Sequence, residues 1–177
     1  GVTLSDIVDP FVSQGWFLSV TPGTKFVSVG GAIASDVHGK NHHKDGSFSS
    51  CVISFTMMLA DGSIKQCSRQ KNNQLFTSAF GGMGLTGIIL DVVLKLRPIS
   101  TAYIYQRTTK AYDLDHIMRS FEDASDWTYS VAWIDCLAQG TALGRSVLMV
   151  GEHALVEQLG ARAKGAPLLV ESKQKFS

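Results

Sequence analysis

Cysteine is scarce in this chain: three in 177 residues, Cys51, Cys67 and Cys136, with no CxxC pair. An odd count without paired spacing argues against a disulfide framework and against a structural zinc site, and free thiols fit a reducing compartment. Excess charge is missing as well. Sixteen basic residues stand against 15 acidic ones, a net charge of +1. That leaves no electrostatic case for nucleic acid or an anionic membrane as partner. No apolar run reaches the ~18 residues of a membrane span. Neither the GxGxxG dinucleotide fingerprint nor the GxxxxGK[ST] phosphate loop occurs, which weakens Rossmann and nucleotide-hydrolase readings. Internal repeats and low-complexity segments are absent. The sequence begins at Gly1 rather than at a methionine, so its start carries no information on targeting.

What is present suffices for a folded protein. The hydrophobic fraction is 45%, ordinary for a globular chain. At this length roughly 70% of the unfolded chain's surface can be buried. Thr3-Leu4-Ser5-Asp6 has the form of a capped helix start, followed by the stripe Leu4, Ile7, Val8, Phe11. Pro10 should kink or shorten that helix, and Gly15 ends it. Trp16 to Val20 reads as a short strand, and Lys25 to Val29 as extended up to the interruption at Gly30-Gly31. Ala32 to Val37 reads as a short helix or a turn. Cys51 to Ala60 and Ser63 to Ser68 form a hairpin around Asp61-Gly62. Asn72 or Asn73 caps a helix carrying Leu75, Phe76, Ala79 and Phe80, and Gly87 to Arg97 is a β-branched strand closed by Pro98.

The character changes at Pro98 to Thr101, the expected boundary between a domain over 1–98 and another over 99–177. Ala102 to Thr108, a helix capped by Asp113 with Leu114, Ile117, Met118 and Phe121 on one face, Tyr129 to Cys136, and Arg145 to Gly151 follow. This βαββ order suggests part of an antiparallel sheet backed by a helix. His153 to Lys164 reads as helical. The fold class is therefore α+β.

Chemistry concentrates in Thr21 to His43, TPGTKFVSVGGAIASDVHGKNHH. Glycine lets backbone approach a ligand, and His and Lys supply donors, charge and proton transfer. The turns Pro22-Gly23-Thr24 and Gly30-Gly31 can cradle a phosphate with backbone N–H groups. They can equally be tight turns of a β-rich domain. His38 and His42 have the i,i+4 spacing of helical zinc ligands. Yet Gly39 and Gly46 bracket them, no Glu follows His38, and no cysteine is near, so no metal is expected. A solvated loop and an active-site loop remain, and the alternation of Gly, His and Lys straight after the glycine turns favours the second. Gly81-Gly82-Met83-Gly84-Leu85-Thr86-Gly87 serves either ligand approach or a helix C-cap. Tyr129, Trp133 and Asp135 share one face of a strand, lining a pocket or packing across strands.

The strings VTPGTKFVSVGGAIASDVHGKNHH, GSF, ADG and GGMGLTGII resemble the FAD-linked oxidases of the vanillyl-alcohol oxidase type, within them the branch that oxidises polyprenylphosphoryl-ribose. STAYIYQ and YSVAWIDC resemble strands of its substrate domain, and the likeness fades after about Glu152. The resemblance implies part of an FAD-binding domain followed by part of an antiparallel-sheet substrate (cap) domain. It implies non-covalent FAD held at Pro22, Gly23, Thr24, Ser28, Val29, Gly30 and Gly31. Ser35, Asp36, Val37 and His38 would run along the flavin, with Ile89 against the cofactor. His38, Gly39, Lys40 and Val131 would border the substrate. The implied reaction is oxidation of the ribose 2′-hydroxyl to a keto sugar by hydride transfer to FAD. An NAD-dependent keto-reductase partner would follow, in the making of cell-wall arabinan. A bacterial enzyme, cytoplasmic or associated with the cell envelope, is implied, with peripheral membrane association. The alternatives are another FAD-linked sugar, alditol or aldonolactone oxidase, or a non-catalytic binding and assembly module.

Departures from the family pattern are informative. Val131 stands where the family has a pocket serine, and Ser35 where a cysteine is common. The family's other phosphate loop and its catalytic base, a lysine near a tyrosine, lie outside this sequence, so no catalytic residue is assigned. The expectation is an internal fragment that alone binds FAD weakly or not at all and shows no oxidase activity.

Overall fold

The computed structural model describes residues 1–170; the expected second domain runs past them at its end. The chain divides into two compact units, Gly1–Ile99 and Ser100–Ser177. Both mix helices with antiparallel sheet, the α+β class expected. Among the described residues no helix is long and apolar enough to cross a membrane.

The first unit opens with α1 (Leu4–Val12). Its start is the expected capping box: Thr3 Oγ1 accepts from the Asp6 amide, while Asp6 Oδ2 accepts from the Thr3 amide at 2.8 Å. Pro10 does not end the helix, which continues to Val12. Strand β1 (Trp16–Leu18) follows. Next come α2 (Val29–Ala34), a single turn α3 (His42–Asp45) and a 3₁₀ turn at Phe48–Ser50. Strands β2 (Val52–Met58) and β3 (Ile64–Ser68) form the hairpin read from Asp61-Gly62, with Gly62 at φ 80°. Helix α4 (Asn73–Ala79) leads into β4 (Ile88–Leu94) and β5 (Leu96–Pro98).

Two expectations change here. Gly30-Gly31 does not interrupt the chain: Ser28 caps α2, its Oγ accepting from the Gly31 amide at 3.1 Å, so both glycines lie in the first helical turn. The strand expected over Gly87 to Arg97 is two strands in two sheets. β4 pairs with β2 and β5 pairs with β1, and the switch falls at Lys95, whose amide turns to the carbonyl of Cys51.

β2 is the middle strand of the order β3-β2-β4. It contributes Val52, Phe55 and Met57, each 2% exposed or less, to a core with Leu4, Leu18, Val20, Ile33, Phe48 and Phe76. Phe55 and Phe76 stack with centroids 5.2 Å apart, and Phe80 meets Phe76 edge-on at 5.0 Å. Such pairs add about 0.5–1.5 kcal/mol beyond the area they bury. They seat α4 on the sheet.

The second unit contains β6 (Ile104–Ala111), α5 (Leu114–Asp123), β7 (Tyr129–Ile134), β8 (Ser146–His153) and the short α6 (Ala161–Lys164). The sheet order is β6-β8-β7, antiparallel throughout. Asp113 caps α5 as expected, its Oδ1 accepting from the His116 amide at 2.7 Å. Ile117 of α5 is buried with Leu148 and Val150 of β8. The helix expected over His153 to Lys164 is reduced to a 3₁₀ turn at Val156–Gln158 and the four residues of α6, because β8 extends as far as His153.

Cys51 and Cys67 are buried and Cys136 is exposed, all three as free thiols. Burial pushes the Cys51 thiol up to about 11 and raises that of Cys67. Native protein treated with a thiol reagent at mildly alkaline pH should therefore label at Cys136 alone, and at all three positions after denaturation. Rapid native labelling that persists in Cys136→Ser would contradict the buried core around β2.

Candidate functional site

The expected cofactor residues fall into three adjoining places on the first unit. The largest is a cleft of about 570 Å³, bordered by Ser28, Val29, Gly30 and Gly31 at the start of α2 and by Gly84, Thr86, Gly87, Ile89 and Asp91 beyond α4. Its position follows from two local devices. Thr3 and Ser28 form an antiparallel bridge. Through it Leu4 N–H donates to the Val27 carbonyl at 3.0 Å and Val29 N–H donates to the Val2 carbonyl at 2.9 Å. At the other end of α2, the amides of Gly81 and Met83 donate to the carbonyls of Ile33 and Ala34, at 3.4 and 2.9 Å. The glycine-rich turn thus closes the C-terminus of α2 while its later residues line the cleft.

A second, smaller cleft of about 220 Å³ holds Pro22, Gly23 and Thr24 beside Leu4, Val8 and Phe17. Lys25 Nζ donates to Asp9 Oδ1 at 2.6 Å, tying this turn to α1 and holding the Asp9 carboxyl below its usual range, with a further bond from Ser5. Both partners are about half exposed, so the pair contributes little to stability.

The third place is the loop Ser35 to Lys40. Asp36 sits at φ 41°, a left-handed conformation rare outside glycine. Its carboxylate accepts from Ser47 Oγ at 2.7 Å and from the Ser49 amide at 2.9 Å, so it is engaged inside the protein. His38 bridges to Ser47. It therefore lies outside the α3 turn that carries His42, and the two imidazoles meet as tilted rings with centroids 5.1 Å apart rather than as neighbours on one helix face. Among the described residues no group of three or more His, Cys, Asp or Glu is placed to hold a metal ion. Gly39 packs on the turn of the second cleft: a Cβ there would stand 2.3 Å from the Thr21 carbonyl oxygen. His38 and Lys40 are exposed on either side of it. Val131 belongs to the second unit, on β7 opposite Met149 of β8.

The glycines sort by what requires them. Gly46, Gly62, Gly81, Gly84 and Gly87 have positive φ, and a side chain on Gly39, Gly82 or Gly87 would run into backbone. Gly23 and Gly30 differ. Neither has positive φ, and a Cβ on either would meet nothing within 4 Å. The fold tolerates a side chain at both, and glycine in a helix costs about 0.5–1 kcal/mol against alanine. Their smallness faces outward, toward whatever occupies the two clefts. In the first turn of α2 the Val29 and Gly31 amides are engaged by the Val2 carbonyl and Ser28 Oγ, which leaves the Gly30 N–H as the backbone donor for an anionic ligand. These features fit a phosphate-bearing cofactor lying against backbone. Gly84, Thr86, Gly87 and Asp91 were not among the expected cofactor residues; the run of glycines before Ile89 was the available signal.

The comparisons with known proteins agree with this geometry. Residues 1–68 match the FAD binding domain family, and the chain is similar to FAD-linked oxidases along nearly its whole length. It is 36% identical to decaprenylphosphoryl-β-D-ribose oxidase of Mycolicibacterium smegmatis, over 98% of this chain and 38% of that protein. It is 39% identical to an uncharacterized protein in the mprA 5′ region of Streptomyces coelicolor, over 94% of this chain and 45% of that one. The L-gulonolactone oxidase of Mus musculus is 34% identical over 55% of this chain and 22% of the enzyme. The chain spans less than half the length of each of these relatives.

Gly30→Ala provides a test with opposite signs. Removing a helical glycine at a permitted φ should stabilise the protein by about 0.4–1 kcal/mol, seen as a raised Tm without ligand. A methyl group in the cleft should weaken FAD binding, measured by flavin fluorescence titration. A variant that gains stability and keeps full FAD affinity would remove Gly30 from the site.

Proposed function

We propose that the protein carrying this chain oxidises the 2′-hydroxyl of a polyprenylphosphoryl-ribose to a keto sugar. The observation that carries this reading is the reach of the similarity. The likeness to decaprenylphosphoryl-β-D-ribose oxidase covers 98% of the chain and so takes in both units. The likeness to the mouse L-gulonolactone oxidase covers 55%. Similarity confined to a cofactor domain speaks to the cofactor; similarity that includes a second unit speaks to the substrate as well.

In this reading the N–H groups around Gly23 and Gly30 hold the cofactor's phosphates, and Ser35 to His38, with Ile89, border its ring system. When bound, FAD supplies the acceptor for the hydride that leaves the alcohol carbon. The residues of the chain bind and orient. His38, Gly39 and Lys40 form the substrate side of the loop, and Lys40, which has no ion-pair partner among the described residues, meets the sugar phosphate. Backbone held by Thr21 and Ser47 keeps that loop in place. The second unit supplies a sheet with one face covered by α5 and the other carrying Tyr129, Val131 and Trp133. Trp133 is 74% exposed, a large aromatic surface suited to a sugar. Val131 makes this face less polar than the family pattern. An NAD-dependent keto-reductase consumes the keto product in arabinan precursor synthesis, at a bacterial cytoplasmic or envelope-associated site. The 34% identity to a lactone oxidase favours the second reading, an FAD-linked sugar, alditol or aldonolactone oxidase.

Anaerobic mixing of the flavin-loaded protein with a short-chain prenylphosphoryl-ribose separates the two. The expected result is bleaching of the visible flavin band by this sugar, none by its 2-deoxy analogue, and none by an aldonolactone. Bleaching by the lactone alone would replace the proposed substrate with the second class.

A further inference from the structure

The helix α3 is a single turn, His42–Asp45, with no side-chain cap. One turn fixes several dihedrals for very few hydrogen bonds and does not hold itself together. Something else must hold it, and with it the exposed segment His38–Lys40 just before. Asn41 is 1% exposed. Its Nδ2 donates to the Ser19 carbonyl at 2.7 Å and to Asp45 Oδ2 at 2.5 Å. The other oxygen of that carboxylate, Asp45 Oδ1, accepts from Arg97 Nη2 at 2.9 Å. Arg97 lies on β5 opposite Phe17 of β1, and Ser19 is two residues beyond Phe17. The contacts therefore close a ring from β1 through Asn41, Asp45 and Arg97 back to β1.

We propose that Arg97, acting through Asp45 and Asn41, is a positioning residue for the reaction, holding His38–Lys40 in register with the Thr21–Thr24 turn. Three observations point there. The Arg97–Asp45 pair is only about a quarter exposed, 25% and 23%, so it is screened less than a surface pair. Asn41 Oδ1 is buried and has no hydrogen-bond partner among the described residues; it would stand 3.0 Å from a Cβ on Gly39. A residue kept for stability alone is not expected to leave a buried acceptor unpaired. Finally, the ring locks the segment from behind, while the Gly39 approach to Thr21 and the His38–Ser47 bridge lock it from the front. Only the side chains of His38 and Lys40 are left to face a ligand. The clasp rests on the reading that this segment borders flavin and substrate.

The test uses the whole flavin-loaded protein with Arg97→Gln, Arg97→Lys and Asp45→Asn. Arg97→Gln should raise amide hydrogen exchange in residues 38–45 while leaving β2 protected, alter the visible circular dichroism of bound FAD, and raise KM for a short-chain prenylphosphoryl-ribose about tenfold or more with a smaller change in kcat. Arg97→Lys should recover most of each effect. Should Arg97→Gln fail to fold, Asp45→Asn, which keeps the shape and removes the charge, should reproduce the pattern. Faster local exchange with unchanged flavin dichroism and KM, or unchanged exchange, overturns the proposal. If the sugar does not bleach the flavin of the unsubstituted protein, the substrate reading fails, and exchange and dichroism still decide the clasp.

Discussion

The backbone bridge between Thr3 and Ser28 is the constraint on which the first unit depends. A helix start leaves its first amides without intrahelical partners. Here the opening amides of two helices answer each other's approach strands: Leu4 of α1 donates to Val27, and Val29 of α2 donates to Val2. Each helix is then capped by the hydroxyl of its own bridging residue, Thr3 or Ser28. One short pairing therefore decides where both helices begin. It also brings the glycines of α2 to the rim of the larger cleft, next to residues from the very start of the chain.

The opposite wall depends on β2 and α4. Phe55, Phe76 and Phe80 form a contiguous aromatic group, and the chain leaving α4 must reverse to reach β4. The turn does so at Gly81, and Gly87 presses so closely on β2 that a Cβ would stand 2.6 Å from the Met58 carbonyl oxygen. Ile89 then enters the sheet opposite Met57. The cleft is thus the space between a helix start set by backbone pairing and a strand start set by aromatic packing. Neither wall is a flexible loop, which suits a site that must hold a large ligand in one pose.

Local features were legible in the sequence to the extent that their causes were local. Thr3 and Asp6 three residues apart, Asp61-Gly62 between two strands, and Asp113 before a helical stripe each carry their own explanation, and each appears in the structure. The α2 start was obscured because a Gly-Gly pair reads as a breaker, whereas the Ser28 cap and the bridge to Thr3 outweigh its poor propensity. The division of Gly87–Arg97 between two sheets depends on the Cys51 carbonyl, far off in sequence. The Asp45–Arg97 pair spans 52 positions, and nothing near either residue announces it. The composition of the site, its glycines and its His-Gly-Lys segment, was visible; the elements that hold it in place were not.

Glycine shows where reading a sequence must give way to geometry. The chain's 17 glycines look alike as letters, yet they do different work. At Gly87 and Gly39 the protein's own backbone occupies the space of a side chain, and at Gly62 the φ angle excludes one. At these positions packing or backbone conformation is by itself a sufficient reason for glycine. Gly23 and Gly30 are the reverse case, with ordinary φ and open space around the missing Cβ. Gly30 in addition sits in the first turn of α2, where glycine weakens a helix, so the fold supplies no reason for it. The first 68 residues match an FAD binding domain, and open backbone at Gly23 and Gly30 fits the close approach of a phosphate-bearing ligand.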